Sequence, residues 1–274
     1  MKLKTDDQTD RIRGVLAGLA AGDFHGGPVR MGMRLAESLA DHNGFHRDDV
    51  MDRYMAWYRE GSFDTGPVAD RVFARVQKGQ AVDDAVKAVH LDRNQLTGGC
   101  NPAHRAVALA MCSAIPVESL AGAAFQEASL THFDSIAGDV SAAVVVLCRH
   151  LILGSTWSQA LDAAKGNRDP ATKDALAVIP EAQLDRGGYT PHVLAAAIYF
   201  LDRHQTLRKA LDAAYEFAGR WNFCPVLVGA IGGARWGASS VPVDRIRHTE
   251  PMPRVNEATE RLLASWGTRT ILNT

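Results

Sequence analysis

The chain has 274 residues, 46% of them hydrophobic and 22% charged, a balance that suits a self-sufficient globular core and excludes the disordered and fibrous classes. Its 30 Lys+Arg against 31 Asp+Glu leave a net charge of −1, so the overall charge gives no reason to expect a nucleic-acid partner. Four scattered cysteines (Cys100, Cys112, Cys148, Cys224) form no C-x-x-C pair, which excludes a disulfide framework or a zinc ribbon and fits a reducing compartment.

The first segment, MKLKTDDQTDRIRG, lacks the apolar stretch of a signal peptide. Ile12, Val15, Leu16, Leu19 and Ala20 then recur at helical spacing and predict a first amphipathic helix. Met31, Leu35 and Leu39 predict a second. Val50, Tyr54, Trp57 and Tyr58 continue the habit, followed by Val68, Val72, Phe73 and Val76, then by Ala85, Val86 and Val89. Beyond Gly98-Gly99 the pattern predicts helices at 103–113, 117–128, 136–153, 157–165 and 170–179, and later at 190–203, 206–218, 225–236 and 255–266. The longest apolar run, AAVVVLCRHLIL over 142–153, is about half a bilayer span and is interrupted by Arg149 and His150, so no membrane is expected. No run alternates with the period of a strand, and glycine pairs punctuate the helices. These patterns predict one compact all-α domain over residues 1–274, cytoplasmic in location.

Four loops carry candidate chemistry. The loop from Gly22 to Pro28 holds Asp23 and His25, where a carboxylate and an imidazole could share acid–base work, or Asp23 could simply cap the next helix. In Phe63-Asp64-Thr65-Gly66-Pro67, Asp64 is either a cap or a free carboxylate at a helix entrance. The run Thr97-Gly98-Gly99-Cys100-Asn101-Pro102-Ala103-His104-Arg105 is a glycine-rich loop entering a helix, a place where N–H groups and Arg105 would suit a phosphate. In Leu130-Thr131-His132-Phe133-Asp134, His132 and Asp134 could aim at one ligand. The adjacent pairs Asp48-Asp49 and Asp83-Asp84 each precede an amphipathic helix and read as solvated N-terminal charge rather than metal ligands.

Taken in order, RIRGVLAGLAAGD (11–23), MGMRLAESLAD (31–41), WYREGSFDTG (57–66), GGCNPAHR (98–105), SLTHFD (129–134), GGYTPHVLAAAIYFL (187–201) and VGAIGGARWGASSVP (228–242) resemble the ADP-ribosylglycohydrolase family. GGCNPAHR stands in place of that family's glycine-asparagine-glycine loop ending in methionine-arginine. The resemblance implies a single orthogonal multi-helix domain and the removal of ADP-ribose from arginine, serine and related acceptors. It also implies two magnesium ions, and here the sequence departs. The family's threonine-aspartate-aspartate-threonine loop falls on Gly26, Gly27, Pro28 and Val29. Its second metal loop falls on Ala218, Gly219, Arg220, Trp221, Asn222 and Phe223, so both have lost their carboxylates. No metal or other cofactor is therefore expected, because magnesium demands anionic oxygen ligands.

The favoured function is a metal-independent glycoside hydrolase cleaving a ribosyl bond of an ADP-ribose-like or nucleoside-like substrate. Asp64, Asp23, His25 and His132 are its candidate catalytic residues, and Gly99, Cys100, Asn101, His104, Arg105, Asp134, Arg220 and Asn222 its candidate binding residues. Arg220 is expected beside Asp64, replacing the cations and keeping that carboxylate ionised. The partner is a small ribosyl ligand or an ADP-ribosylated acceptor, with no nucleic acid. The alternatives are a catalytically inactive relative that binds a ligand or protein, and an enzyme using Cys100 or Cys224 as nucleophile.

Overall fold

A computed structural model describes residues 5–272. They form an all-α fold, and no strand occurs among them. The helices in chain order are α1 (Thr5–Gly22), α2 (Gly27–His42), α3 (Arg47–Arg59), α4 (Pro67–Gln77), α5 (Val82–Asp92), α6 (Asn101–Arg105) and α7 (Val117–Ala128). They continue as α8 (Ser135–Ile152), α9 (Trp157–Lys165), α10 (Pro170–Ala175), α11 (Thr190–Arg203), α12 (Leu207–Ala218), α13 (Cys224–Trp236) and α14 (Met252–Leu272).

The stripe Ile12, Val15, Leu16 and Leu19 is fully buried, as its spacing predicts. What brings α1 so close to α13 is glycine. Gly14, Gly18 and Gly22 repeat every fourth residue on α1 and face Gly233, Gly229 and Pro225 on α13. A Cβ on Gly18 would land on the Gly229 carbonyl oxygen, and one on Gly229 would land on that of Gly18. The two backbones therefore touch along an antiparallel seam. Its lower end delivers Asp23, just after α1, next to Asn222 and Phe223, just before α13.

α8 is the one described helix long and apolar enough to cross a membrane, but 89% of it is buried inside the protein. Its Arg149 explains a difference from the predicted helix at 103–113. That stretch is a short α6, then a 3-10 turn over Ala106–Met111. The Arg149 guanidinium donates to the carbonyls of Ala110 (2.7 Å), Cys112 (2.5 Å) and Ile115 (3.2 Å), which a tighter, ending helix leaves open. α4 gives Ala69 and Phe73 to the main core and turns its other face to α5. Val68, Val72, Ala85, Val86 and Val89 make a small core of their own, separate from the main one.

Candidate functional site

Five helices that start at one side of the molecule, α2, α4, α6, α11 and α13, carry a proline in the first turn: Pro28, Pro67, Pro102, Pro191 and Pro225. Proline fixes φ where its missing N–H costs nothing, so each entrance loop is set at a defined angle. Between the loops lies a cavity of about 560 Å³. Its walls come from His25 and Pro28, from Asp64, Gly66, Pro67 and Val68, from Gly98 to Asn101, from Asp134, and from Trp221 to Phe223. Arg93, Leu96, Gly188 and Tyr189 complete it. The loop at 187–190 is pinned by the Thr190 N–H, which donates to the Gly98 carbonyl at 2.9 Å.

Flat or apolar groups stand at the rim. Leu96, Tyr189 and Trp221 are 73%, 44% and 63% exposed, and the Trp221 ring stacks parallel on Phe223 at 5.8 Å. Exposed apolar groups gathered around a concavity mark a ligand site rather than idle surface.

Asp64 and Asn222 form the floor, and Asp23 lies buried behind them. Asp23 is wholly buried and accepts the N–H groups of His25 (3.1 Å), Gly26 (2.7 Å) and Val29 (2.8 Å). It is thus the anion at the amino terminus of α2, as its place before that helix allows. Asp64 is half-buried, with φ +51°, and its Oδ2 accepts the Gly27 N–H at 3.3 Å. The Asn222 side chain joins the two: its Nδ2 donates to Asp23 at 2.7 Å and to Asp64 at 2.8 Å, while its Oδ1 accepts the Phe24 N–H at 2.9 Å. The partners fix the amide's orientation, because the reverse would set oxygen against two carboxylates. Burial pushes the Asp64 carboxyl above its ordinary pKa, and nearby Asp23 adds to this; the Asn222 hydrogen bond works the other way.

Two magnesium-binding loops would need anionic oxygens at 26–29 and 218–223, and neither stretch carries a carboxylate. Gly26, Gly27, Pro28 and Val29 are buried without a side-chain oxygen, and the point shared by Asp23 and Asp64 is filled by an N–H donor. This donor set does not fit a pair of divalent cations.

Several sequence expectations are corrected by placement. Arg105 does not face the cavity. It is fully buried, with Nε on Glu127 at 2.5 Å and a terminal nitrogen on Thr131 at 2.8 Å, so it is not free to hold a phosphate. His104 is buried behind the floor, and desolvation lowers its pKa to about 3, which keeps it neutral. His132 is also buried, with Nδ1 on the Thr131 hydroxyl at 2.8 Å, and desolvation holds its pKa well below the usual value, so it is no acid at neutral pH. Asp23 does not line the cavity, and its hydrogen bonds leave it a positioning role. Cys100 lines it, but burial pushes that thiol up to about 12, and the Cys224 thiol is raised for the same reason, so neither offers a thiolate.

Arg220 is the largest departure. Its side chain is exposed, lies outside the cavity lining and makes no ion pair among the described residues; only its backbone carbonyl is engaged, 3.0 Å from His25 Nε2. Gly219, with φ +65°, turns the chain outward just before it. Arg220→Ala should therefore change stability by no more than about 0.5 kcal/mol, the range for surface positions. A thermal-melting loss of several degrees would place Arg220 back beside Asp64.

Residues 30–271 match the family model described as ADP-ribosylglycohydrolase, nearly the whole chain. The chain belongs to the ADP-ribosylglycohydrolase family. Among solved structures it is similar to one described as an "ADP-ribosylglycohydrolase-related protein complex", at 23% identity and a TM-score of 0.73, covering 94% of this chain and 98% of that one. No curated protein matches it. Membership brings a hydrolase-like fold, and within that fold this ADP-ribosylglycohydrolase relative has Asn222 at the floor of its cleft. The sequence pointed to most of the cleft loops but not to Arg93, Leu96 or Tyr189. Their signal was slight: an aromatic residue after Gly187-Gly188, and an apolar residue in the turn after α5.

Proposed function

We propose that this chain hydrolyses the ribosyl bond of an ADP-ribose-like or nucleoside-like substrate without a metal ion. The observation that carries the reading is Asp64. It lines the cavity, its Oδ2 is held by Gly27 and Asn222, and burial makes it a stronger base than a free aspartate. Its Oδ1 takes no hydrogen bond from the described residues. In the proposed step the bond between the anomeric carbon and the leaving group breaks, its electron pair going to the leaving group. Water bonds to the anomeric carbon and gives a proton to Asp64, while the ionised carboxylate steadies the positive charge on the sugar. His25, exposed at the cavity wall with its Nε2 on the Arg220 carbonyl, is the acid we assign to the leaving group. Trp221, Phe223 and Tyr189 supply flat faces for a base.

The test is hydrolysis of a panel of ADP-ribosyl compounds and nucleosides in EDTA. Turnover should persist in the chelator and fall at least about 100-fold in Asp64→Asn, the scale of losing one acid–base group. The rate should rise with pH through an inflection above the ordinary aspartate value. Stability should show the opposite trend. A carboxyl whose folded pKa is raised is penalised when ionised, so Asp64→Asn should melt higher than wild type at neutral pH. That advantage should shrink as pH falls through the raised pKa towards the ordinary one. Saturable binding of a ribosyl ligand with no turnover of any substrate would favour the inactive binding protein. No binding at all would defeat both readings.

A further inference from the structure

We infer that the Asn222 carboxamide stands in for a divalent cation as the positive bridge between Asp23 and Asp64, and that this one side chain sets the cleft's indifference to metal. The inference rests on the metal-free part of the proposed function and goes beyond it to a cause. Two carboxylates brought to one point in a half-buried site repel each other, and something positive must lie between them. Here that something is a single nitrogen, 2.7 Å from Asp23 and 2.8 Å from Asp64, each contact using one of its two hydrogens. The same side chain is held from behind by the Phe24 N–H at 2.9 Å and is 8% exposed, so it has no freedom to swing away and admit an ion. The amide supplies partial positive charge at fixed positions, with no ion to lose to a chelator.

The consequence is sharp because Asn and Asp have the same shape. Asn222→Asp would replace the bridging donor by a third acceptor and leave three carboxylates converging where a hard cation finds anionic oxygens. The positioning role is therefore separable from simple packing by the response to cations.

The experiment compares thermal melting of the full-length wild type, Asn222→Asp, Asn222→Ala and the swap variant Asp64→Asn/Asn222→Asp, each with EDTA or millimolar MnCl2. Wild type should melt at the same temperature in both. Asn222→Asp should melt at least about 4 °C lower in EDTA and regain most of that with manganese, as binding to the native state alone requires. Asn222→Ala should be destabilised with no recovery. The swap variant restores one amide among two carboxylates, and should regain stability in EDTA without metal. It keeps the test decisive even where Asn222→Asp fails to fold.

A saturable rise of wild-type melting temperature with manganese would overturn the inference and the metal-free reading together. Equal behaviour of Asn222→Asp and Asn222→Ala, or a swap variant no more stable than Asn222→Asp, would overturn the inference alone. Absence of turnover with the expected cation responses would instead leave the bridge standing and remove only the hydrolase.

Discussion

Gly18→Ala and Gly229→Ala should each leave little or no folded protein. In both cases the new methyl group falls on the carbonyl oxygen of the opposing helix, and neither is a flexible side-chain end that could move aside. Relief requires α1 and α13 to separate along their whole seam, which uncovers Leu16, Leu19, Val226 and Ile231 at once. Overpacking usually costs about 1–3 kcal/mol, and a backbone-on-backbone clash in the central helix pair belongs beyond that, at more than about 4 kcal/mol. Such a loss consumes a large share of an ordinary domain's stability. Gly122→Ala is the control. That glycine is exposed on α7, a Cβ there meets nothing within 4 Å, and alanine should stabilise by up to about 1 kcal/mol. Soluble yield and circular-dichroism melting decide the matter. A Gly229→Ala protein melting within a few degrees of wild type would show that the seam is looser than described.

The second large effect is expected at Arg105. Its guanidinium and the Tyr54 hydroxyl, at 2.9 Å, both serve the same oxygen of Glu127, in a part of the core where Arg105 and Glu127 have no exposure. Arg105→Ala leaves that carboxylate buried without its counter-charge, which costs about 3–5 kcal/mol, or on the order of 10 °C in melting temperature. Replacing both Arg105 and Glu127 by methionine removes the stranded charge and should recover most of the loss. Ligand affinity of whatever remains folded should be unchanged. A variant of normal stability that no longer binds phosphorylated ligands would return Arg105 to the phosphate role that its sequence context suggests.

That reversal shows where sequence reading loses sight of the fold. Helical period reports local amphipathicity, so it located 117–128, 157–165 and 190–203 as α7, α9 and α11. It could not report that the helix following Gly98-Gly99 turns its Arg105 inward, because the partner Glu127 lies 22 residues away on another helix. The same blindness hid the Arg149 contacts that end the helical run near Met111. At the cleft, residue types named the actors better than their roles. Asp23, Asp64 and Asn222 were all candidates, but only the fold shows that Asn222 stands between the other two and that Arg220 turns away. The order of the family blocks carried the fold, and four of them, at 57–66, 98–105, 129–134 and 187–201, run into the entrances of α4, α6, α8 and α11.

The separate valine core of α4 and α5 bears on how this cleft could change over generations. Pro67, Val68, Arg93 and Leu96 on that hairpin form one wall of the cavity, whereas Asp23 and Asn222 hang from the glycine seam of the main body. Substitutions within the hairpin draw on a small, local store of packing and leave the seam untouched. The molecule thus keeps the floor of its cleft on the part that tolerates least alteration and the opposite wall on the part that tolerates most. New ligand preferences can be tried on the one without jeopardising the other.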